Sequence, residues 1–171
     1  MTGRIANANG GHYPGLLLLE IDIASLASGE IDTGIDLKKG DVVIDAYVDV
    51  QTAESTAGTK TIDVGLLSSE SGGDADGFLD GVSTAAANVV KGVASVTTGA
   101  NTKFFATTTR GVLLQDFQAG TDVDQDEGVA YNKNHICDGT AVSVTYTLGA
   151  AHTELKGKIY LLILRVPGRL P

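Results

Sequence analysis

Two groups of side chains in this 171-residue chain are of the types that metal or nucleophile chemistry needs. The first is acidic: Asp74, Asp76 and Asp80 in one Gly-rich stretch, and Asp122, Asp124 and Asp126 in another. An EF-hand loop puts carboxylates at positions 1, 3 and 5, Gly at 6 and a bidentate Glu at 12. Counted from Asp74, positions 5, 6 and 12 fall on Phe78, Leu79 and Ala85; counted from Asp122, positions 6 and 12 fall on Glu127 and Lys133. Neither run fits. A looser Ca²⁺ site on either Asp triad is the sharper alternative to a solvated acidic loop whose Asp side chains make Asx-turns. The solvated loop is the reading adopted, with no cofactor expected.

The second group is His135 and Cys137, two residues apart and so on one side of an extended segment. Two ligands do not complete a zinc site. Cys137 is the sole cysteine, and His12 and His152 are remote in sequence. A Cys–His nucleophile pair needs more than this spacing, and the pair reads as a semi-buried thiol beside a polar neighbour. The chain contains no P-loop, no G-x-S-x-G and no H-E-x-x-H. No active site is named, and a non-enzymatic role is expected.

The elements that would position these residues are mostly strands. With 22 Gly, abundant Thr and few helical periodicities, the composition points to an all-β chain rich in turns. Alternation puts Leu17, Leu19, Ile21 and Ile23 on one face of residues 16–23. It does the same for Val42, Ile44, Ala46, Val48 and Val50, with Asp45 and Asp49 facing out. Residues 61–67 present Ile62, Val64 and Leu66, and residues 141–148 present Val142, Val144, Tyr146 and Leu148. Residues 24–33 read as a loop and 34–40 as a turn, while the Ala-rich stretch 83–91 predicts one or two helical turns with Ser83 as N-cap. Further strands are expected at 93–96, 104–108 and 111–117, and a long acidic loop at 118–134. The closing strand, 158–166 (KIYLLILRV), is apolar on both faces. It is either central and covered on both sides, or its second face meets a partner.

The resulting expectation is an antiparallel β-sandwich, jelly-roll-like, at residues 16–171, with an extended N-terminal arm at 1–15. Phe78 and Leu79, an apolar pair in the acidic stretch 70–81, are expected to pin that stretch, since burying a large side chain is worth roughly 1.5–3 kcal/mol.

Net charge is −9 without a Lys/Arg cluster, which argues against direct nucleic-acid binding. Apolar runs are too short to span a bilayer as helices, no signal peptide is visible, and a lone cysteine suits assembly in a reducing cytoplasm.

The run TGIDLKKGDVVIDAYVDVQTAESTAGTKTIDVGLLSSESGGDADGFLDGVSTAAANVVKG, with the closing strand, resembles structural proteins of tailed bacteriophages. It is most like the small β-sandwich or jelly-roll proteins that decorate or cement capsids. The resemblance carries no catalytic residues. It implies a virion protein on the outer capsid surface, made in the host cytoplasm, with the major capsid protein and further copies of itself as partners (a homotrimer favoured over a homodimer). A head fibre or receptor-binding protein, or a calcium-dependent binding module, is the alternative. Contacts are expected from Ile5, His12 and Tyr13 on the arm, from Phe78 and Leu79, and from Arg165 and Arg169 toward an acidic neighbour.

Overall fold

The computed structural model describes residues 3–7, 15–91, 97–98, 102–103, 109–118, 129–139 and 141–165. Among them every named element is a strand: β1 (Gly3–Asn7), β2 (Leu16–Asp22), β3 (Gly29–Leu37), β4 (Val42–Thr52), β5 (Thr61–Leu66), β6 (Asp74–Ser83), β7 (Asn88–Lys91), β8 (Thr97–Thr98), β9 (Thr102–Lys103), β10 (Gln115–Gln118), β11 (Val129–Asn132), β12 (His135–Ile136), β13 (Val142–Leu148) and β14 (Lys156–Leu164). Two antiparallel sheets pack together as a β-sandwich. The first has the order β1-β2-β14-β4, and the far edge of β4 is shared by β12 and β7. The second has the order β3-β13-β5-β6. β8-β9 and β10-β11 form separate two-stranded ladders.

Period-2 alternation accounts for the core between the sheets. Leu19 and Ile21 of β2, Val48 and Val50 of β4, Ile62 and Val64 of β5, Val144 and Tyr146 of β13, and Ile159 and Leu161 of β14 are all buried in one cluster. β14 is central by pairing, with β2 on one side and β4 on the other. It is covered on one face only. Ile159, Leu161 and Ile163 are buried, whereas Tyr160, Leu162 and Leu164 on the opposite face are not.

β4 departs from the simple alternation. Its ladder with β14 shifts between Leu162 and Ile163, inserting Ile44 as an extra residue. Such a bulge flips the phase of the strand on one side of it. Val43 therefore points inward, Val42 and Ile44 are only half-buried, and Asp45 is buried with polar partners rather than exposed.

The segment read as loop and turn at 24–40 contains β3, an edge strand paired along β13. It bulges at Gly34, whose φ of 67° L side chains rarely adopt. The Asp32 carboxylate accepts the Gly34 N–H at 2.7 Å, completing the turn within the strand.

Residues 83–91 form no helix. Asn88–Lys91 pairs with Tyr47–Val50 instead. Nine residues hold an isolated helix poorly, and the ladder offers Val89 and Val90 a backbone for which β-branched side chains are suited.

The acidic stretch 70–81 is largely strand β6. Register shifts against β5 let the neighbours Phe78 and Leu79 both bury completely, Leu79 opposite Val64. Gly65 is needed there, because a Cβ on it would lie 2.0 Å from the Asp74 carbonyl oxygen. Residues 109–114 then run along the outer edge of β6, with bonds from Gly111 N–H to Phe78 O and from Leu113 N–H to Gly77 O. Within the expected strand 111–117 only the end is strand, as β10.

Candidate functional site

The polar side chains with chemical potential are mostly spent on joining the chain to itself. Glu54 is the clearest case. It is 1% exposed, and its carboxylate accepts bonds from the backbone N–H groups of Thr56, Ala57, Thr153, Glu154 and Leu155 and from the Thr56 hydroxyl. The backbone donor at Glu154, then the Thr56 hydroxyl, hold it well below the usual carboxylate range. An acid so fixed in its ionised form transfers no proton near neutrality; it ties the loop after β4 to the loop before β14.

His152 sits beside it, 4% exposed. Its Nδ1 lies 2.7 Å from the Ala150 carbonyl, so Nδ1 carries the proton, and Nε2 accepts from the buried Thr84 hydroxyl at 2.9 Å. No carboxylate orients this imidazole as a catalytic base would require. Asp41, 1% exposed, receives a two-point clamp from Arg165 at 2.7 and 2.5 Å and caps the Lys38 N–H. Asp45 gathers Arg110 at 3.0 Å, Lys91 at 2.6 Å and the Tyr47 hydroxyl at 3.0 Å, with the Lys91 ammonium 5.5 Å from the Tyr47 ring centroid.

His135 and Cys137 do not assemble a reactive pair. Burial lowers the His135 pKa, and its ring packs 5.8 Å from that of Phe78. Burial first, and then the charges of Asp41 and Asp138, push the Cys137 thiol up to about 11, so it stays protonated and a poor nucleophile. Asp74 is raised to about 6 by burial and by sharing a hydrogen bond with Asp76, while Asp63 is raised by burial and by Asp80 and Asp76. Among the described residues no group of three or more His, Cys, Asp or Glu is arranged to hold a metal ion.

A cleft of about 160 Å³ opens beside β3, lined by Leu17, Leu19, Ile35, Leu37 and Ile163 together with the charged Asp36, Lys38 and Arg165. Ligand pockets of roughly 300–1,000 Å³ are usual, and this one is smaller, with an apolar floor and charged neighbours. Among the described residues no helix is long and apolar enough to cross a membrane.

The surface with the strongest character is the outer face of the six-stranded sheet. Register aligns Ile136 of β12 with Val42 of β4, Val42 with Leu164 of β14, and Leu164 with Leu16 of β2. Residues directly opposite on antiparallel strands share a face, so these side chains make one apolar row across four strands. The row behind it holds Leu162 and Leu18 together with Asp45 of β4, which is in register with Leu162. Ile136 is 60% exposed and Leu164 38%. Further along the same face come Tyr47, Tyr160 and Glu20 with Lys91 of β7 opposite Tyr47, then Asp49, Lys158 and Asp22 with the exposed Val89 of β7 opposite Asp49. Lys158 bonds Glu20 and lies 3.6 Å from Asp22.

Of the expected contact residues, Phe78 and Leu79 lie in the core of their own chain, and Arg165 meets its acidic neighbour, Asp41, within the chain. Ile5 falls in β1, in register with Leu19, so this part of the extended arm lies along β2. His12, Tyr13, Arg169 and the triad Asp122, Asp124 and Asp126 lie outside the described residues, as do the strands expected at 93–96 and 104–108. Sequence reasoning missed Glu54, Asp41 and Asp45 as buried acids, because their partners are remote in sequence. It also missed the Ile136–Val42–Leu164–Leu16 row, for which only the two-faced apolarity of β14 was a signal.

No family model and no curated protein sequence matches the chain. Among solved structures, the chain is similar to one in the acid-stable capsid structure of Helicobacter pylori bacteriophage KHP30, with 14% sequence identity and a TM-score of 0.41 over 98% of this chain and 95% of that one.

Proposed function

We propose that this chain is a non-enzymatic structural protein of a tailed-phage virion, one that binds the outer capsid surface and cements or decorates the head. The observation that carries the reading is the outer face of the six-stranded sheet, where an apolar row crosses four strands and remains exposed at Ile136 and Leu164. Contiguous apolar surface of this kind marks association sites. Two further features support it. Residues 33–92 resemble capsid-decorating proteins, and the buried acids Glu54, Asp41 and Asp45 serve as braces between loops and strands. A brace role suits a rigid scaffold under mechanical load better than a reaction centre. In this reading the partners are the major capsid protein and further copies of the chain, a homotrimer in preference to a homodimer.

The test is binding of the purified full-length chain to empty heads assembled from the major capsid protein of the same genome. Co-sedimentation at a saturating, symmetry-compatible ratio, together with a higher temperature of head rupture, is the expected result. Failure of the chain to co-sediment with heads at low and physiological salt overturns the reading.

A further inference from the structure

We infer that the cleft beside β3 is the docking site of the segment that follows Arg165 in the same chain, residues 166–171, with the Leu170 side chain seated in the cleft. Three observations lead there. First, the cleft is sized and lined for one aliphatic side chain. Its volume is about 160 Å³, and Leu17, Leu19, Ile35, Leu37 and Ile163 make its floor. An apolar cavity of about 150 Å³ accepts benzene, so there is room for a leucine side chain. Leu17 and Ile35 are only half-buried, whereas Leu19, Leu37 and Ile163 are buried. Covering Leu17 and Ile35 removes apolar surface from water, and that gain drives docking.

Second, the segment starts at the cleft. Arg165 lines it, held in place by a bond from its N–H to the Gly15 carbonyl at 2.6 Å and by the clamp to Asp41. The floor lies back along β14, beside Ile163 and its register partner Leu17. Pro167 lacks the N–H that a further ladder bond needs. Val-Pro-Gly-Arg at 166–169 is the sequence pattern of a β-turn, with Pro and Gly at the two central positions. Such a turn brings its first and last residues within about 7 Å, which returns Leu170 toward Arg165 and the floor.

Third, charge and tether length favour this occupant. Arg169 is the sole charged side chain in residues 166–171. Beside the cleft, β3 carries Glu30, Asp32 and Asp36 and no base, with Lys38 and Lys39 in the turn that follows. Asp41 is already taken by Arg165, so Asp36, exposed on the wall of the cleft, is the carboxylate open to Arg169. Only residues 166–169 separate Arg165 from Leu170. A tether this short gives an effective concentration on the order of millimolar, so in dilute solution the chain's own Leu170 outcompetes that of a second copy.

The experiment reads cover over the cleft from the alkylation rate of the thiol introduced by Ile35→Cys, on the full-length chain. Wild type supplies the background from Cys137, which is buried and protonated. The rate is compared among Ile35→Cys, Ile35→Cys/Leu170→Asp and Ile35→Cys with residues 166–171 deleted, and thermal melting of each serves as the folding control. Both additional changes are expected to raise the rate on the order of tenfold, because each opens the same cover. A rate that neither change alters overturns the inference. To identify whose segment provides the cover, Ile35→Cys/Leu170→Asp is co-expressed with an excess of wild type. Its thiol is expected to stay fast. Protection restored by wild-type neighbours assigns the cleft to the segment of a second copy, and that also overturns the inference.

Discussion

Two carboxylates on this protein respond to acid in opposite directions. Glu54 is ionised in the folded chain well below its ordinary value of 4.5, because five backbone N–H groups and a hydroxyl converge on it. A lowered folded-state pKa contributes stability that is complete above the unfolded value and is lost as pH falls below it. Asp74 has the reverse sign. Its pKa is raised from 3.8 to about 6, so the folded state takes up a proton before the unfolded one does, and stability rises as pH falls through that window. Wild type is therefore expected to gain melting temperature relative to Asp74→Asn as pH falls through about 6, a gain opposed by His135, whose burial-lowered pKa costs stability below 6.5, and to decline once pH drops below the Glu range. Asp74→Asn should reduce the gain, leaving the share of Asp63, and Glu54→Gln should lower the melting temperature at neutral pH and flatten the acid decline. Thermal melts across this pH range check both. At this scale residue chemistry was legible in the sequence, but pairing was not. The Arg165–Asp41 clamp and the Glu54 contacts at 153–155 join residues that no local pattern connects.

At the scale of elements, alternation identified β2, β5 and β13 with their inward faces correct, because period 2 and one-sided burial are the same fact viewed from sequence and from space. It failed where that equivalence breaks. β3 alternates as well, Ile31, Thr33, Ile35 and Leu37 pointing inward, but Gly34 and three acids disguise it as a loop. In β4 the bulge changes the phase, and at 88–91 pairing with β4 overrides the helical propensity of an Ala-rich run. β14 offers a direct test of one-sided burial. Leu161→Ala, at a fully buried position, should cost about 2–5 kcal/mol, and Phe78→Ala about 3–5. The adjacent Leu162→Ala on the outer face should cost less than Leu161→Ala, since that side chain is only partly buried. Urea denaturation of the three variants measures the difference.

The whole molecule is a two-sheet sandwich in which the last described strand, β14, pairs with β2 near the start of the chain. β14 closes the sheet by inserting between β2 and β4, so the end of the chain completes a layer begun by its start. Deleting residues 1–14 consequently does more than free an arm, because it strips β1 from the edge of β2. Self-association is better measured on the intact chain. Light scattering is expected to give three times the 17.6 kDa chain mass, and Ile136→Asp/Leu164→Asp should leave that mass unchanged if the outer face is reserved for the head. A monomer at all concentrations removes the trimer from the proposal.

The sequence by itself determined the class of structure. Strand periodicity and glycine-rich turns lead to an all-β sandwich. These are local or summed properties, and they survive without knowledge of which strand lies beside which. Tertiary structure alone decided the rest. The apolar row of Ile136, Val42, Leu164 and Leu16 draws one residue from each of four strands, and the buried acids meet partners up to 124 residues away. Both depend on strand order and register, which arise from how two layers close over a shared core and not from any pattern along the chain.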